Sequence, residues 1–349
     1  MWAQPSDDEL RSIFNRLGFV TSSVNLTSLL RRSLKAGHVS DVTILLEGET
    51  GTGKQVLAQA IHQLDQKRNS FSFVTVHCST ISEALAESEL FGHQRGAFSG
   101  AISGRRGLFQ TAQNGTLFLD DVNDLPSHLQ PKLLDVIQRG AVRPVGSDRE
   151  IPVNARIIAA CNQPLEPLVR DGRFRSDLYH RLNVVKLTLP PLRQRRADLP
   201  GLVLALAWRH ADLYAKIETV EIDLLNHLEL QLFPGNVREL ENAVQRMLFL
   251  KVEGTSLGLS DWMAQALSES SPEPPEHLLA EAAGAVWKAI TGKGIAYTEA
   301  LQDIEKRVLR AAVNVPGSTR RQAAQRLHTS ERTLYYKMRA HGLLKSVSR

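Results

Sequence analysis

Residues 45–54, LLEGETGTGK, constrain the fold of this 349-residue chain more than any other stretch. An apolar run ends in a glycine-rich turn, and a lysine opens the pattern of a helix. Glycines at 48, 51 and 53 let successive backbone N–H groups curl around a phosphate, while the helix N-terminus adds partial positive charge at the same point. A buried strand feeding such a turn belongs to a parallel sheet covered by helices. Gly48, Glu49, Thr50, Gly51, Thr52, Gly53, Lys54 and Gln55 are therefore candidate ATP-binding residues, with Lys54 reaching the β- and γ-phosphates. Gln55 stands where many such loops place a Ser or Thr magnesium ligand.

The surrounding pattern agrees. Apolar runs at residues 42–46, 73–76, 116–119, 156–160 and 184–189 read as buried strands, each followed by polar or helical sequence. The third ends in paired carboxylates (residues 115–121, GTLFLDD), an arrangement that directs Asp120 toward Mg2+ and Asp121 toward an attacking water. Acid pairs at strand ends are common, so this signal gains weight only beside the glycine-rich loop. After residue 189 the strands are expected to stop, and residues 199–214, 222–230 and 237–250 read as the helices of a smaller lid. The fold class is thus α/β, a P-loop parallel sheet with helices on both faces, followed by a helical lid and a small all-α module. The expected boundaries are a short extension over 1–19, the α/β subdomain over 20–190, the lid over 191–265, a linker over 266–296 and the last module over 297–349. The linker rests on SESSPEPPE, acidic and Pro-rich. The first twenty residues are too short for a separate sensory domain, so control is expected from expression or a partner.

Composition narrows the class. Two distant cysteines, Cys78 and Cys161, exclude a disulfide framework or zinc cluster and suit a reducing cytoplasm. No leader-like segment or membrane-length apolar run is present, so the expectation is a cytoplasmic protein without a membrane partner. The net charge is +5, yet residues 316–349 carry eight Lys/Arg against one acid, Glu331. A near-neutral body with a basic end points to nucleic acid there, although a solvated basic face gives the same count.

Residues 89–101, ELFGHQRGAFSGA, closely resemble the GAFTGA loop signature of bacterial enhancer-binding proteins, the AAA+ activators of sigma-54 RNA polymerase. The resemblance implies that Gly96, Ala97, Phe98, Ser99, Gly100 and Ala101 touch sigma-54. Glycines permit a tight hairpin there, and an aromatic tip has little reason to be solvated unless it binds something. Ser99 replaces the usual Thr. Further matches cover most of residues 20–250. RIIAACN (156–162) resembles the sensor I strand and implies Asn162 near the γ-phosphate. GRFRSDLYHRL (172–182) resembles the segment of trans-acting arginines, making Arg175 and Arg181 candidate fingers. LPPLRQR (189–195) and FPGNVRELEN (233–242) resemble the lid, with Arg238 as the sensor II arginine. Trans-acting fingers imply a ring, and the family resemblance implies self-association as a dimer and a hexamer ring. Two positions depart from the family: Asp121 stands where a Glu is usual, and His77 where an Asn holds that Glu. The expectation for this pair is compensation, with the imidazole reaching across to the shortened acid.

At the other end, RRQAAQRLHTSERTLYYKMRAHG (320–342) resembles the Fis-type helix-turn-helix of these activators. Ala323, Ala324 and Leu327 give one helix an apolar face, and Leu334 and Met338 stand four apart on the next. Ser330 is the expected N-cap of the recognition helix, with Thr333, Tyr336 and Lys337 facing outward. Arg320, Arg321 and Arg332 are expected on phosphates. His328 takes the turn position where Gly is usual.

The sequence thus points to a sigma-54-dependent activator that binds upstream DNA and hydrolyses ATP in a ring, with ATP and Mg2+ as cofactors and sigma-54 polymerase as target. A paralogous subunit or an inhibitory regulator stays open as a further partner. The alternative is a DNA-binding regulator with impaired ATPase, acting in a mixed ring or as a repressor.

Overall fold

In a computed structural model of the chain, the described residues are 5–80, 83–98, 101–211, 217–251, 254–269, 296–313, 320–327 and 329–343. They form two compact units, Met1–Ser268 and Glu269–Arg349.

The first unit is built on one five-stranded sheet. Its strands are β1 (Ile44–Glu47), β2 (Phe73–His77), β3 (Thr116–Asp120), β4 (Arg156–Cys161) and β5 (Val185–Thr188), in the order β2-β3-β4-β1-β5 with every pair parallel. All five were legible as apolar runs. Successive side chains leave a strand on opposite faces, so each strand supplies two cores. Leu45, Leu117, Leu119, Ile157 and Ala159 enter one, while Ile44, Leu46, Phe118, Ile158 and Ala160 enter the other.

The second of these cores is covered by α1 (Asp7–Arg16), α2 (Thr27–His38) and α3 (Lys54–Leu64). Helix α1 starts with a capping box: Ser6 Oγ accepts from Glu9 N at 3.3 Å, and Ser6 N donates to Glu9 Oε2 at 2.8 Å. Leu10 and Phe14 on α1 are fully buried, and the Phe14 and Phe19 rings meet edge to face at 6.5 Å. Truncating such a phenylalanine costs about 3–5 kcal/mol, so the first helix is part of this core and not an appendage. The opposite core packs under α4 (Glu83–Phe91), α5 (Gln130–Arg139), α6 (Leu165–Arg170) and α7 (Ser176–Leu182).

At the sheet's N-terminal edge, Arg156 opens β4 and donates to Asp65 Oδ2 at 2.7 Å, both side chains being fully buried. Ser40 Oγ and Lys67 N also donate to Asp65, so the buried charge is matched on both oxygens.

The lid comprises α8 (Leu199–Arg209), α9 (Ile222–Glu229), α10 (Asn236–Leu250) and α11 (Leu259–Glu269) around Leu206, Leu228, Leu240, Val244 and Met247. Helix α8 is shorter than the expected 199–214, whose end falls partly on residues outside the description. The expectation that strands stop at 189 is corrected. Thr219–Val220 pairs in parallel with Ser256–Leu257, a two-residue bridge too short to carry a periodic signal. Among the described residues no helix is long and apolar enough to cross a membrane.

The second unit holds α12 (Tyr297–Val313), α13 (Arg320–Arg326) and α14 (Glu331–Ala340), packed through Leu309, Ala323, Ala324, Leu334 and Met338. The expected linker and the break at 316–317 lie on or against residues outside the description, as does His328.

Candidate functional site

The glycine-rich turn leaves β1 at the carboxyl edge of the sheet, where ligands of open parallel sheets bind. Gly51 and Gly53 hold φ of +78° and +97°, a region that side-chain-bearing residues rarely adopt. At Gly51 a Cβ would also stand 2.2 Å from Gly235 O, so the loop is pressed against the lid. Gly53 precedes α3, whose first residue is Lys54. The Lys54 ammonium folds back on the loop, donating to Gly48 O at 2.7 Å and Glu49 O at 3.1 Å. Burial holds its pKa below the ordinary lysine value, with the Asp120 and Asp121 carboxylates acting the other way. These are residues suited to a phosphate chain: curled amides, a helix N-terminus and a buried lysine ready to exchange carbonyls for phosphate oxygens.

The cleft above the loop measures about 280 Å³. Its walls include Phe19 and Val20, residues 50–56, Asp120 and Asp121, and Leu206 and Arg238 of the lid. Thus Thr50 to Gln55, Asp120, Asp121 and Arg238 line one cleft. Gln55 is exposed on the cleft wall.

Glu49 behaves differently. Its carboxylate is gripped by both Arg193 guanidinium nitrogens, at 2.8 and 2.6 Å, and accepts from Asn236 Nδ2 at 3.2 Å. The Arg193 hydrogen bonds pull its pKa down to about 2. Asn236 also donates to Thr50 O at 3.0 Å, accepts from Leu192 N at 2.8 Å and sits at φ +54°. Val237 N donates to Gly51 O at 2.9 Å. Buried Arg195 donates to Thr52 O and lies over the Phe19 ring. Asp198 Oδ1 accepts from Thr21 Oγ1 and from the Ser22 and Ser23 amides at 2.7–2.8 Å, fixing the strand of chain that follows Phe19. Glu49 is therefore a latch between loop and lid. Arg193, Arg195 and Asn236 were inside quoted motifs and Asp198 was outside them, and nothing in spacing alone singled them out.

The carboxylate pair ends β3. Burial, then the neighbouring Asp121, raises the Asp120 pKa. Asp121 takes left-handed backbone angles, φ 51° and ψ 49°, turning its side chain off the strand direction. Asn162 Nδ2 donates to Asp121 Oδ1 at 3.1 Å, joining the expected sensor residue to the expected catalytic acid. His77 faces elsewhere. It is the register partner of Asp120 on the adjacent strand, and its Nδ1 lies 3.4 Å from Asp120 Oδ2. The expectation that the imidazole holds Asp121 is corrected: parallel pairing sets His77 against residue 120, and Asp121 is already held by Asn162.

Arg175 precedes α7 and Arg181 lies in its last turn, and both are exposed. Arg175 is paired with Asp177 at 3.0 and 2.7 Å. Neither lines the cleft of its own chain; Arg181 instead lines a second cavity with Arg68, Arg156 and Asp41.

The GAFSGA segment caps a ribbon in which Gly92–His93 pairs with Arg105–Arg106. Gly96 N donates to Ala101 O at 2.8 Å and Ala101 N to Phe98 O at 3.0 Å, closing the turn. Gly96 has φ +80° and open space around it. Phe98 is 40% exposed, its ring 5.0 Å from that of His93. Ser99 and Gly100 lie outside the described residues. Ile102, 85% exposed, stands beside the turn and carried no signal beyond being apolar. A second loop packs on this one: Gln94 N donates to Val145 O, and a Cβ on Gly146 would stand 2.8 Å from Ala97 Cβ.

In the second unit Ser330 caps α14, accepting from Thr333 N at 3.1 Å. Arg320, Arg321, Arg332, Thr333, Tyr336 and Lys337 are all exposed, and the Arg332 guanidinium lies 5.9 Å from the Tyr336 ring centre. Lys337 is ion-paired with Glu305 of α12, which also accepts from His341 Nε2 at 2.8 Å. Glu305 lies 32 residues before Lys337 and could not be linked to it by local spacing.

Comparison with known proteins agrees with this anatomy. The family model for the Sigma-54 interaction domain matches residues 19–188, that for the AAA+ ATPase lid domain residues 193–278, and that for Bacterial regulatory protein, Fis family, residues 300–341. The chain is 38% identical over 327 residues to the transcriptional regulatory protein ZraR of Salmonella typhimurium, covering 93% of this chain and 68% of that protein. It is 49% identical over 221 residues to the DNA-binding transcriptional activator HyfR of Escherichia coli, covering 63% of this chain. The chain spans 33% of HyfR and 53% of the E. coli regulatory protein GlrR. The solved structure of NtrX from Brucella abortus in complex with ADP superposes with a TM-score of 0.64 at 29% identity, covering 96% of this chain and 71% of that one. A sheet carrying a phosphate loop and a GAFSGA turn, a lid latched to it and a Fis-type module, matched segment by segment in this order, place the chain in the sigma-54-dependent AAA+ transcriptional activator family.

Proposed function

We propose that this chain binds upstream DNA through its C-terminal module and uses ATP hydrolysis in a ring to remodel the sigma-54 polymerase closed complex in the cytoplasm. The observation that carries the reading is a single unit holding both a phosphate cleft and an exposed aromatic turn, Phe98, on a ribbon that follows β2. Lys54 and the loop amides hold the β- and γ-phosphates, and Arg238 contacts them from the lid. Mg2+, when bound, neutralises the phosphates beside Asp120. Asp121 and Asn162 orient the attacking water. Arg175 and Arg181 do not line the cleft of their own chain, which supports action on a neighbour's nucleotide and hence a ring. Arg320, Arg321 and Arg332 supply phosphate contacts, and Thr333, Tyr336 and Lys337 face the groove.

A second reading is favoured by one observation, the engagement of the short Asp121 by Asn162. Held so, the acid is poorly placed to activate water, and the chain acts as a regulator relying on an intact partner subunit. Transcription from a sigma-54 promoter with purified chain separates the two. Open complexes that need hydrolysable ATP support the activator. Their absence, together with rescue by a catalytically intact relative, supports the second reading. Removing residues after 316 is expected to abolish specific DNA binding while leaving activation at high protein concentration, because tethering acts through local concentration.

A further inference from the structure

The imidazole at the end of β2 is unusual company for a magnesium carboxylate. His77 and Asp120 are paired in register on adjacent parallel strands, so their side chains leave the sheet edge together. Asp120 is mostly buried, with 16% of its side chain exposed, and lines the cleft, whereas His77 beside it is half-exposed, at 48%. The donor atoms, His77 Nδ1 and Asp120 Oδ2, are 3.4 Å apart. Two ligands about 2.1 Å from one ion stand roughly 3.0 Å apart at a right angle and roughly 3.4 Å apart at a tetrahedral angle. The pair's spacing matches the tetrahedral value and exceeds the right-angle one by about 0.4 Å, so at most a small side-chain shift lets it share a single cation.

The remaining donors decide which cation. Mg2+ takes oxygen ligands in near-ideal octahedral geometry, while imidazole suits first-row transition ions. Gln55 removes the hydroxyl ligand often supplied by phosphate loops, and His77 adds a nitrogen. Asp121 is engaged by Asn162, and the Cys78 side chain is buried in the core, so neither competes for the position. Among the described residues no group of three His, Cys, Asp or Glu side chains forms a complete metal site. The shell needs the nucleotide's phosphates, which ties the cation to nucleotide binding.

We propose that His77 is a direct ligand, with Asp120, of the divalent cation that accompanies the nucleotide, and that it biases this site toward first-row transition ions over Mg2+. The inference rests on the nucleotide-binding reading above. It adds a nitrogen donor that the family pattern, with Asn at this position, lacks.

Pulsed EPR on the full chain with Mn2+ and ADP tests it, using protein labelled with 15N at histidine. The expected spectrum shows the strong coupling of a directly bonded 15N nucleus. His77→Asn should abolish that coupling and lower the Mn2+-over-Mg2+ preference, read by competition with ADP present, by tenfold or more. Nucleotide-dependent Mn2+ binding without histidine coupling in the wild-type chain overturns the proposal and leaves the nucleotide site standing. Failure of the wild-type chain to bind Mn2+ with ADP at all overturns both. The wild-type spectrum decides between these outcomes even if the variant does not fold.

Discussion

Asn162 Nδ2 donates to Asp121 Oδ1 across 3.1 Å, bridging the ends of two adjacent strands beside the cleft that Asp121 lines. The sensor position and the acid position are thus one hydrogen-bonded unit. Members of such a unit lose function together, so their effects on rate do not add. ATP turnover of Asn162→Ala, Asp121→Ala and the double variant is expected to show the double no slower than the worse single by more than a few-fold. Additive losses would separate the two residues. Because His77 contacts Asp120 instead, the His77→Asn and Asp121→Glu changes should couple more weakly than the Asn162 pair.

Phosphate binding and target binding are assigned to different ends of one subdomain, and their loss should look different. Lys54→Ala is expected to abolish ATP turnover. Phe98→Ala should keep turnover within a few-fold while losing capture of sigma-54 in a transition-state nucleotide complex. Normal activation by Phe98→Ala would remove the turn from the mechanism.

Arg175 and Arg181 offer a test of ring geometry. Each Arg→Ala change is expected to slow hydrolysis on the order of a thousandfold. Mixing either variant with Lys54→Ala should recover activity, since a competent cleft in one chain then meets an intact arginine in the next. Mixtures that stay inactive at every ratio would tell against action between subunits.

The Glu49 latch has a pH signature. Its folded-state pKa is depressed from the ordinary carboxylate value of about 4.5 to about 2, so the latch contributes fully above about 4.5 and is lost as pH falls toward 2. The carboxylate is 41% exposed, and solvent screens the pair, so the contribution is small. Thermal unfolding of wild type and Glu49→Gln should differ at pH 6 and converge as pH drops below 4. A difference that grew toward acid would contradict the assignment.

Much of this was legible in the sequence because strands and phosphate loops are local. Five apolar runs mark the five strands, and glycines at 51 and 53 mark the left-handed turn they adopt. What escaped is long-range pairing. Glu49 meets Arg193 across 144 positions and Asn236 across 187, so the latch made by its side chain could not be read from the loop motif. His77 was assigned to Asp121, yet a one-residue difference in strand register delivers it to Asp120. Ser330 was readable as a cap because its partner is three residues away; the Lys337–Glu305 pair was not, because the helices that bring it together are only joined by folding.

The contact of Gly146 with Ala97 makes two loops share one volume. Gly146 sits at φ +76°, where any side chain is strained, and the space a methyl would need there already belongs to Ala97. Neither position can grow alone, so mutational tolerance at the turn that presents Phe98 is set partly by a glycine nearly fifty residues downstream. A screen varying only residues 96–101 would find position 97 rigidly small and misread a steric quota as a demand of the target protein.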